Sequence, residues 1–319
     1  MVMGLAIGRY PLPVTDIGHF FLAAAGLEDM TEARYTLLFN LVVQIRLPRV
    51  LAAVLVGASL AASGAAFQAV FRNPLVSPGL LGVLAGAAFG AALGILISGD
   101  WWVVQSLSFL FGMVAVSLGI AIANLFGGGS IIMLVLGGVI AGAFFTSLLS
   151  MVKYVADPYN QLPAIVYWLM GSLAQSDISR LAWFALPMGL GIATLMLLGR
   201  ALDALSMGDE EAMSLGVPVK QVRYGVIGAA TLISALTVSL AGMIGWVGLI
   251  VPHIARLLVG PGNTRLLPAS AALGATFLLV ADGLSRTLTT VEIPIGIVTE
   301  LIGIAAFLLV LKRARSGWV

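Results

Sequence analysis

Residue types that carry out enzyme chemistry are scarce in this chain. Its 319 residues include no Cys and only two His, at positions 19 and 253, so no thiolate site and no paired His–Glu metal motif is present. No Ser stands in a Gly-x-Ser-x-Gly setting, and no phosphate-binding loop of the Walker type occurs. The sequence therefore predicts no catalytic residue, no metal site and no cofactor held by the chain itself.

Four ionisable residues near the C-terminal end are the remaining candidates for proton or ion chemistry. Asp282 and Arg286 are one helical turn apart, at positions i and i+4, where they can pair with each other. Glu292 precedes the last apolar run and Glu300 lies inside it. Ion-coupled carriers place such groups in the middle of the membrane, so an ion-coupled secondary transporter that acts without an ATPase is the alternative function.

A further group of charges is the acidic stretch "MGDEEAMSLGV" at 207–217, which lies between two long apolar runs. Its three acids, Asp209, Glu210 and Glu211, open a short predicted helix, where each carboxylate gains up to about 1 kcal/mol from the helix dipole. Because this gain is small and shared, we expect neutralisation of any single acid to have little effect. Gly216 is expected to need a positive φ where the helix turns.

The composition places these residues in a membrane protein. Hydrophobic residues make up 60% of the chain and charged residues 9%, and the mean hydropathy is +1.09. So few charges cannot cover the surface of a soluble protein of this length, which predicts an all-α fold, a polytopic membrane helical bundle. The formal charge of +2 gives no reason to expect a nucleic acid as partner.

Apolar runs of spanning length recur along the chain and predict one domain over 1–319 with about nine to ten transmembrane helices. The clear spans are predicted at 47–71, 80–98, 102–125, 131–152, 181–199, 222–241, 244–259, 266–288 and 294–311. The run at 244–259 contains Pro252 and predicts a broken or half-length helix. Between 153 and 180 the apolar stretch is only about twelve residues long, which predicts an interfacial or re-entrant helix.

Glycines spaced four residues apart predict close helix packing in the span at 80–98. Gly82, Gly86, Gly90 and Gly94 would share one helix face, where the lack of side chains lets two backbones approach closely.

Lys and Arg residues in the loops predict the orientation in the membrane. The basic segment 312–315 marks the C-terminus as cytoplasmic, and counting back places the acidic stretch inside as well. Five basic residues then fall outside, where short loops carry few of them, so their position calls for a specific reason: Arg46, Arg49, Lys153, Arg180 and Arg286.

Several blocks of the chain, in this order, resemble one family of transport proteins. The blocks are "QIRLPRVLAAVLVGASLAASGAAFQAVFRNPLVSPGLLGV" (44–83), "GDEEAMSLGV" (208–217), "GMIGWVGLIVPHIARLLVG" (242–260), "RLLPASAALGATFLLVADGLSRT" (265–287) and "EIPIGIVTELIG" (292–303). They look like the FecCD family, the permease subunits of type II ABC importers for iron–siderophores, haem and cobalamin. Family members usually have ten spans, whereas only seven residues precede Gly8 here, so either the chain begins late or its first helix is truncated, and nine spans would place the N-terminus outside.

The resemblance implies a set of partners. Two copies of the permease would form the pathway at their interface, with two ATP-binding cassette subunits, which hold ATP and Mg, on the cytoplasmic face. A periplasmic substrate-binding protein would dock outside. The chain would lie among lipids as a multi-pass protein of a bacterial inner membrane or an archaeal plasma membrane. Its expected cargo is a metal-chelate, with iron–siderophore or haem favoured, cobalamin next, and an oxyanion such as molybdate last.

By the same resemblance, the acidic stretch matches the cytoplasmic coupling helices, at about 206–221, which sit in a cleft of the ATPase. The residues assigned to ATPase coupling are Gly208, Asp209, Glu210, Glu211, Ala212, Leu215, Gly216 and Val217. Leu215 is expected to fill a pocket on the ATPase, and Gly216 to allow the turn between two short helices.

The resemblance also assigns the external arginines and the pathway. Arg46, Arg49 and Arg286 match residues that receive carboxylates of the binding protein, and the alternative is headgroup anchoring or pairing with Asp282 within the chain. The segment "RNPL" matches the cytoplasmic gate loop, and the helix at 131–152 is implied to line the pathway. The gate and pathway residues are Asn73, Pro74, Leu75, Gly138, Gly142 and Thr146.

Overall fold

The computed structural model describes residues 2–8, 10–126 and 130–316, with side chains described up to residue 309, so the basic side chains at 312–315 lie outside the described part. All regular structure in these ranges is helical. The α-helices are α1 (Val2–Ala6), α2 (Val14–Ala24), α3 (Glu32–Leu38), α4 (Leu47–Phe71), α5 (Val83–Ile97), α6 (Trp101–Leu125), α7 (Ile131–Val155), α8 (Gln161–Leu169), α9 (Ile178–Leu197), α10 (Gly199–Met207), α11 (Asp209–Ser214), α12 (Val219–Ala241), α13 (Val247–Val259), α14 (Asn263–Thr287) and α15 (Ile295–Ser316).

Six helical stretches of the described chain are long and apolar enough to cross a membrane. They are Glu32–Phe71, Trp101–Leu125, Ile131–Val155, Ile178–Leu197, Val219–Ala241 and Asn263–Thr287. Shorter apolar helices accompany them, at Val14–Ala24, Val83–Ile97, Val247–Val259 and Ile295–Leu309. The fold is therefore a polytopic helical bundle, and the count of nine to ten spans stays a prediction.

The first long helix begins earlier than the sequence pattern predicts. A continuous helical stretch of 40 residues runs from Glu32 to Phe71, whereas the predicted span begins at 47. Its middle part, Phe39–Arg46, is wound as a π-helix of 8 residues. This part contains Asn40, Gln44 and Arg46, which lower the local hydropathy and hide the helix from a reading based on apolar runs. The sequence pattern also does not predict helix α2, because its run of 11 residues is too short to predict a span.

Two short helices predicted from the sequence are present. Helix α13 has 13 residues with Pro252 inside, so at about 1.5 Å per residue it is about 20 Å long and covers only part of a bilayer. Helix α8 has 9 residues and lies within the predicted interfacial segment 153–180.

Helix α4 is the buried axis of the bundle. It packs against α14, α12, α13 and α9. At its crossing with α14 two glycines face each other, because a Cβ built on Gly57 would overlap the Gly274 carbonyl and the reverse is also true. Gly64 makes a similar contact with the backbone of Gly248 on α13. Small residues let these helices approach to backbone contact, which dispersion forces favour where lipid supplies no hydrophobic drive.

Three of the four glycines predicted to share a face do so. A Cβ on Gly86 would overlap the Phe111 carbonyl oxygen, and one on Gly90 would overlap that of Leu107. Gly94 lies against Val104, also on α6. Gly82 is the exception, because the helix begins only at Val83, and Gly82 ends a 3₁₀ turn, Pro78–Leu81, with φ of 85°. The glycine face therefore joins α5 to α6.

Substitution of this face tests the packing. We expect Gly86→Leu and Gly90→Leu each to lower the thermal unfolding temperature in detergent by about 5 °C or more, because the new side chain must push α6 away. Gly189→Leu is the matched control, since nothing lies within 4 Å of a Cβ at that position. Fluorescence-monitored melting of the three purified variants measures the difference. Equal melting temperatures for all three would show that the α5–α6 contact is not close.

Candidate functional site

The predicted coupling segment, at about 206–221, is a helix–turn unit at one end of the bundle. Helix α11 has 6 residues, and its first turn holds Asp209, Glu210 and Glu211, as the sequence predicts. It ends in a Schellman arrangement, in which the Gly216 N–H donates to the Met213 carbonyl at 2.9 Å and the Val217 N–H to the Ala212 carbonyl at 3.0 Å.

Gly216 has φ of 78°, so the predicted need for a positive φ is confirmed. A side chain there would strain the turn. Around it, Ala212 is fully buried, while Leu215 is 63% exposed and Met213 is 57% exposed. The segment thus presents two large apolar side chains to the outside while its buried residue fixes it to the bundle. The predicted insertion of Leu215 into a partner pocket stays a prediction, and its exposure is compatible with it.

Asp209 differs from the two acids beside it. Its carboxylate accepts hydrogen bonds from Nη2 of Arg223 at 2.6 and 2.8 Å, and Nη2 of Arg72 lies 3.8 Å away. The Arg223 side chain is only 6% exposed. The hydrogen bond from Arg223 is the main reason that the pKa of Asp209 lies below its ordinary value, with the charges of both arginines adding to the effect.

Asp209 therefore ties α11 to α12, which carries Arg223, and to the end of α4, where Arg72 lies. Glu210 and Glu211 are exposed and form no ion pair within the described residues. The expectation that the three acids act alike does not fit this geometry. Sequence reasoning missed the special role of Asp209 because its partner lies 14 residues away on another helix.

The predicted gate segment is next to the coupling segment. Helix α4 ends at Phe71 and is capped by Arg72, which has a left-handed backbone with φ of 50°. Asn73 then closes a tight turn, in which its Oδ1 accepts from the Leu75 N–H at 2.9 Å. Leu75 is 58% exposed. The exposed loop Asn73–Leu75 thus directly follows Arg72, which contacts helix α11. Spacing along the chain did not reveal that this loop and α11 lie close together.

The pathway residues predicted on α7 face two directions. Gly138 is buried, and a Cβ there would lie 2.6 Å from the Leu80 carbonyl oxygen. Gly142 lies against Gly82, since a Cβ there would be 3.6 Å from its Cα. Thr146 is on the exposed side, and its hydroxyl donates to the Gly142 carbonyl at 2.8 Å. Gly138 and Gly142 therefore let the 3₁₀ turn and Gly82 pack closely against α7. The pathway role of Gly138, Gly142 and Thr146 remains a prediction.

At the other end of α4, the three predicted docking arginines are brought together. Arg49 donates through Nε to Asp282 at 2.6 Å and through Nη1 to Glu292 at 3.0 Å. Nη2 of Arg286 lies 3.0 Å from the second carboxylate oxygen of Asp282. Asp282 is fully buried, so it is held between two guanidinium groups. The pairing of Asp282 with Arg286, one helical turn apart, is thus observed.

Arg46 completes this arginine cluster (Arg46, Arg49, Arg286) without a carboxylate partner in the described chain. It is 5% exposed and donates to the main-chain carbonyls of Leu5, Ala6 and Tyr10. Three arginines face two acids, which leaves an excess of one positive charge. A cavity of about 200 Å³, lined by all three arginines and Glu292, opens beside them. The geometry suits an anion, whereas the docking role itself stays a prediction.

Known proteins share this architecture. Residues 1–313 match the FecCD transport family. The molybdate import system permease MolB of Haemophilus influenzae is 40% identical over 317 residues, which is 99% of this chain and 93% of that protein. A Helicobacter pylori protein named as a probable iron chelatin transport system permease is 40% identical over 206 residues, 65% of this chain and 63% of that protein. A solved structure described as an inward-facing ABC transporter of the metal-chelate type superposes with TM-score 0.85 and 38% identity over 98% of this chain and 94% of that chain.

The role of Asp209 can be separated from that of its neighbours. We expect Asp209→Asn to lower the unfolding temperature by about 2 °C or more, because the substitution replaces the anionic acceptor of a buried guanidinium. Glu210→Gln, one residue along the same helix, is the matched control and should melt like the wild type. Differential scanning fluorimetry of the purified chain compares them. A shift of the same size in both variants would mean that only the helix dipole is at work.

Asp282 provides a second test, at the arginine cluster. Asp282→Asn should destabilise the chain by about 3–5 kcal/mol, because two buried guanidinium groups lose their shared counter-charge. Glu292→Gln should have a smaller effect, since the Glu292 side chain is 31% exposed and water can replace part of its interaction. Melting curves of both variants measure the difference. If Asp282→Asn melts like Glu292→Gln, the buried ion pairs do not hold this end of the bundle together.

Proposed function

The chain belongs to the FecCD transport family, whose relatives are permeases of ABC importers, and from that premise we propose that it works as part of a larger assembly. Two copies of the chain form the pathway, two ATP-binding cassette subunits bind their coupling segments, and a substrate-binding protein delivers the cargo at the arginine cluster. ATP hydrolysis takes place on the partner subunits, and this chain carries no catalytic residue. The cargo is a metal-containing anion that moves into the cytoplasm.

The main support for the proposal is that the coupling segment is fixed to the bundle while it exposes apolar side chains. Helix α11 is fixed to the bundle by buried Ala212 and by the Asp209–Arg223 pair, yet it turns Met213 and Leu215 outward. A surface that must transmit force to the bundle needs such a combination, because a loosely attached loop would move without moving the helices behind it. Exposed apolar side chains on a fixed, short helix also have the character of interface anchors.

The same segment reaches the proposed gate. Nη2 of Arg72 lies 3.8 Å from the carboxylate of Asp209, and the exposed loop Asn73–Leu75 follows directly. We infer that a displacement of α11 by a partner subunit is passed to this loop through Arg72 and through the buried end of α4. No residue separates the arginine of this ion pair from the loop.

At the opposite end, the arginine cluster supports docking of an acidic partner. The buried Asp282 and the partly exposed Glu292 orient Arg49 and Arg286, and the excess positive charge stays next to an open cavity. Guanidinium groups bind carboxylates in a fork geometry, so acidic side chains of a binding protein would be oriented as well as attracted. Intrachain pairing and docking are therefore compatible, since the acids position the donors.

The full-length likenesses support the proposed cargo class. The relative that matches over 99% of this chain is named for molybdate import, whereas the iron chelatin relative matches over 65%. This favours a tetrahedral oxyanion such as molybdate over the iron–siderophore or haem favoured by the family resemblance. An anionic metal-chelate is the second candidate, since the solved structure that covers 98% of the chain is described as of the metal-chelate type.

An ion-coupled carrier acting alone is the rival function. One of its candidate acids, Asp282, is held by Arg49 and Arg286 and is fully buried. A carboxylate clamped by two guanidinium groups is poorly suited to exchange a proton or a cation during each cycle. The rival also gives no reason for a fixed helix with outward apolar residues at the coupling end.

Reconstitution tests the proposal directly. The permease is placed in liposomes with its ATP-binding cassette subunits and binding protein, and uptake of radiolabelled molybdate and of a radiolabelled anionic ferric chelate is followed with and without ATP. We expect ATP-dependent uptake of molybdate, and a loss of about tenfold or more in Leu215→Asp, because a carboxylate cannot enter an apolar pocket. Leu27→Asp, at a loop position 75% exposed, is the matched control.

Two outcomes would contradict the proposal. Uptake driven by an ion gradient without ATP or partner subunits would favour the carrier. Full ATP-driven uptake in Leu215→Asp, with the ATPase still attached, would show that α11 is not the coupling surface.

A further inference from the structure

A cavity of about 390 Å³ lies apart from both the coupling segment and the arginine cluster. Its walls come from α5, α7, α8, the turn before α13 and the first turns of α15. Most of the lining is apolar, and Met170 and Met243 contribute to it. Two charged side chains enter the same cavity, Lys153 from the last turn of α7 and Glu300 from α15.

Neither charge has a partner among the described residues. The side chains of Lys153 and Glu300 form no ion pair or hydrogen bond with any other described side chain or with the described backbone, and Glu300 is exposed. A Cβ built on Gly245 would lie 3.8 Å from Oε1 of Glu300, so this carboxylate turns toward the turn that closes the cavity. The other acids near this end, Asp282 and Glu292, are paired with arginines.

Position within the membrane makes the unpaired charges informative. Glu300 lies about one and a half turns inside an apolar helix, and Lys153 closes the apolar helix α7. At the centre of a membrane helix a charge that faces lipid is unfavourable by about 2.5–3.5 kcal/mol, so ionisable groups inside such helices face water-filled cavities or protein. Glu300 therefore indicates that water reaches the cavity, and Lys153, in the last turn of α7, adds a charge of the opposite sign to its lining.

We propose that this cavity is a transient station for anionic cargo, in which Lys153 attracts the anion and Glu300 keeps its residence short. The inference rests on the proposed function and names the residues of the pathway that select the cargo. Its ligand is a metal-containing species of net negative charge, and both an oxyanion and an anionic chelate have this chemistry. Met170 and Met243 supply adaptable apolar walls for either one.

A cavity with one charge of each sign is better suited to a transport step than a strong binding site would be. Transport requires that binding be favourable enough for the solute to enter and weak enough for it to leave. A single ammonium group in this cavity would hold a divalent anion, because the effective dielectric constant near a protein surface is about 20, well below that of bulk water. A carboxylate in the same cavity repels the anion and offsets part of that attraction. A neutral cargo would gain nothing from this arrangement.

The two residues should therefore respond in opposite directions. With the complete complex in detergent and no binding protein, binding of radiolabelled molybdate is measured by equilibrium dialysis. Lys153→Gln is expected to weaken binding about tenfold, and Glu300→Gln to strengthen it about tenfold. In liposomes with saturating loaded binding protein, both variants should import more slowly, Lys153→Gln because the anion enters less often and Glu300→Gln because it leaves slowly. An anionic ferric chelate is tested in parallel to distinguish the two cargo sources.

Conservative variants separate charge from structure. Lys153→Arg and Glu300→Asp keep the charges and should stay within about twofold of the wild type for binding and import. Asp29→Asn removes an acid from an exposed loop and is the matched control for Glu300→Gln. The double variant Lys153→Gln/Glu300→Gln should bind molybdate with an affinity between those of the single variants.

The failures are distinguishable. If the wild-type complex imports the probes but both neutral variants bind and import like it, the station is rejected while the proposed function stands. The station is also rejected if both variants shift binding in the same direction, or if Lys153→Arg and Glu300→Asp lose as much as the neutral variants. A wild-type complex that imports neither anion overturns the proposed cargo class and the station together.

Discussion

The backbone contact between α4 and α14 is the interaction on which the rest of the structure depends. Gly57 and Gly274 meet without side chains between them, so the two helices run as close together as their backbones permit. Eight residues further toward the same end in each helix (49 from 57, and 282 from 274) Arg49 and Asp282 form their ion pair at 2.6 Å. A larger residue at the crossing would separate the helices and lengthen this pair, whose buried charges need close contact to offset their desolvation.

Because α4 is buried along most of its length, it also connects the two ends of the bundle. The arginine cluster lies at its start, and Arg72, next to the predicted gate loop and Asp209, lies at its end. At each end of α4, charged residues from helices distant in sequence form the contacts, whereas in its middle small residues form them. Polar contacts therefore fix the ends of the axis and apolar contacts fix its centre.

The sequence predicts the elements better than their contacts. The long apolar spans, the short α13 with Pro252 and the turn at Gly216 follow from hydropathy and from local backbone rules, which depend on neighbouring residues. Hydropathy failed at Phe39–Arg46, where polar residues continue a helix. It also could not show that Asp209 pairs with Arg223, or that Arg49 pairs with an acid 233 residues away, since a linear pattern contains no distances between helices.

The π-helical winding at Phe39–Arg46 has a consequence for how this stretch tolerates insertions and deletions. A π segment holds more residues per turn than an α-helix, so loss of one residue there can restore ordinary winding without breaking the 40-residue helix. The extra residue is already absorbed by the wider π winding, so after such a deletion the α-helical parts on either side would keep nearly the same facing. Tyr35 would therefore stay close to Phe20, whose ring centroid is 5.4 Å away, and Arg34 close to Asp16. Loss of a single residue at this site would therefore spare both the membrane-crossing axis and its contacts with the N-terminal helices.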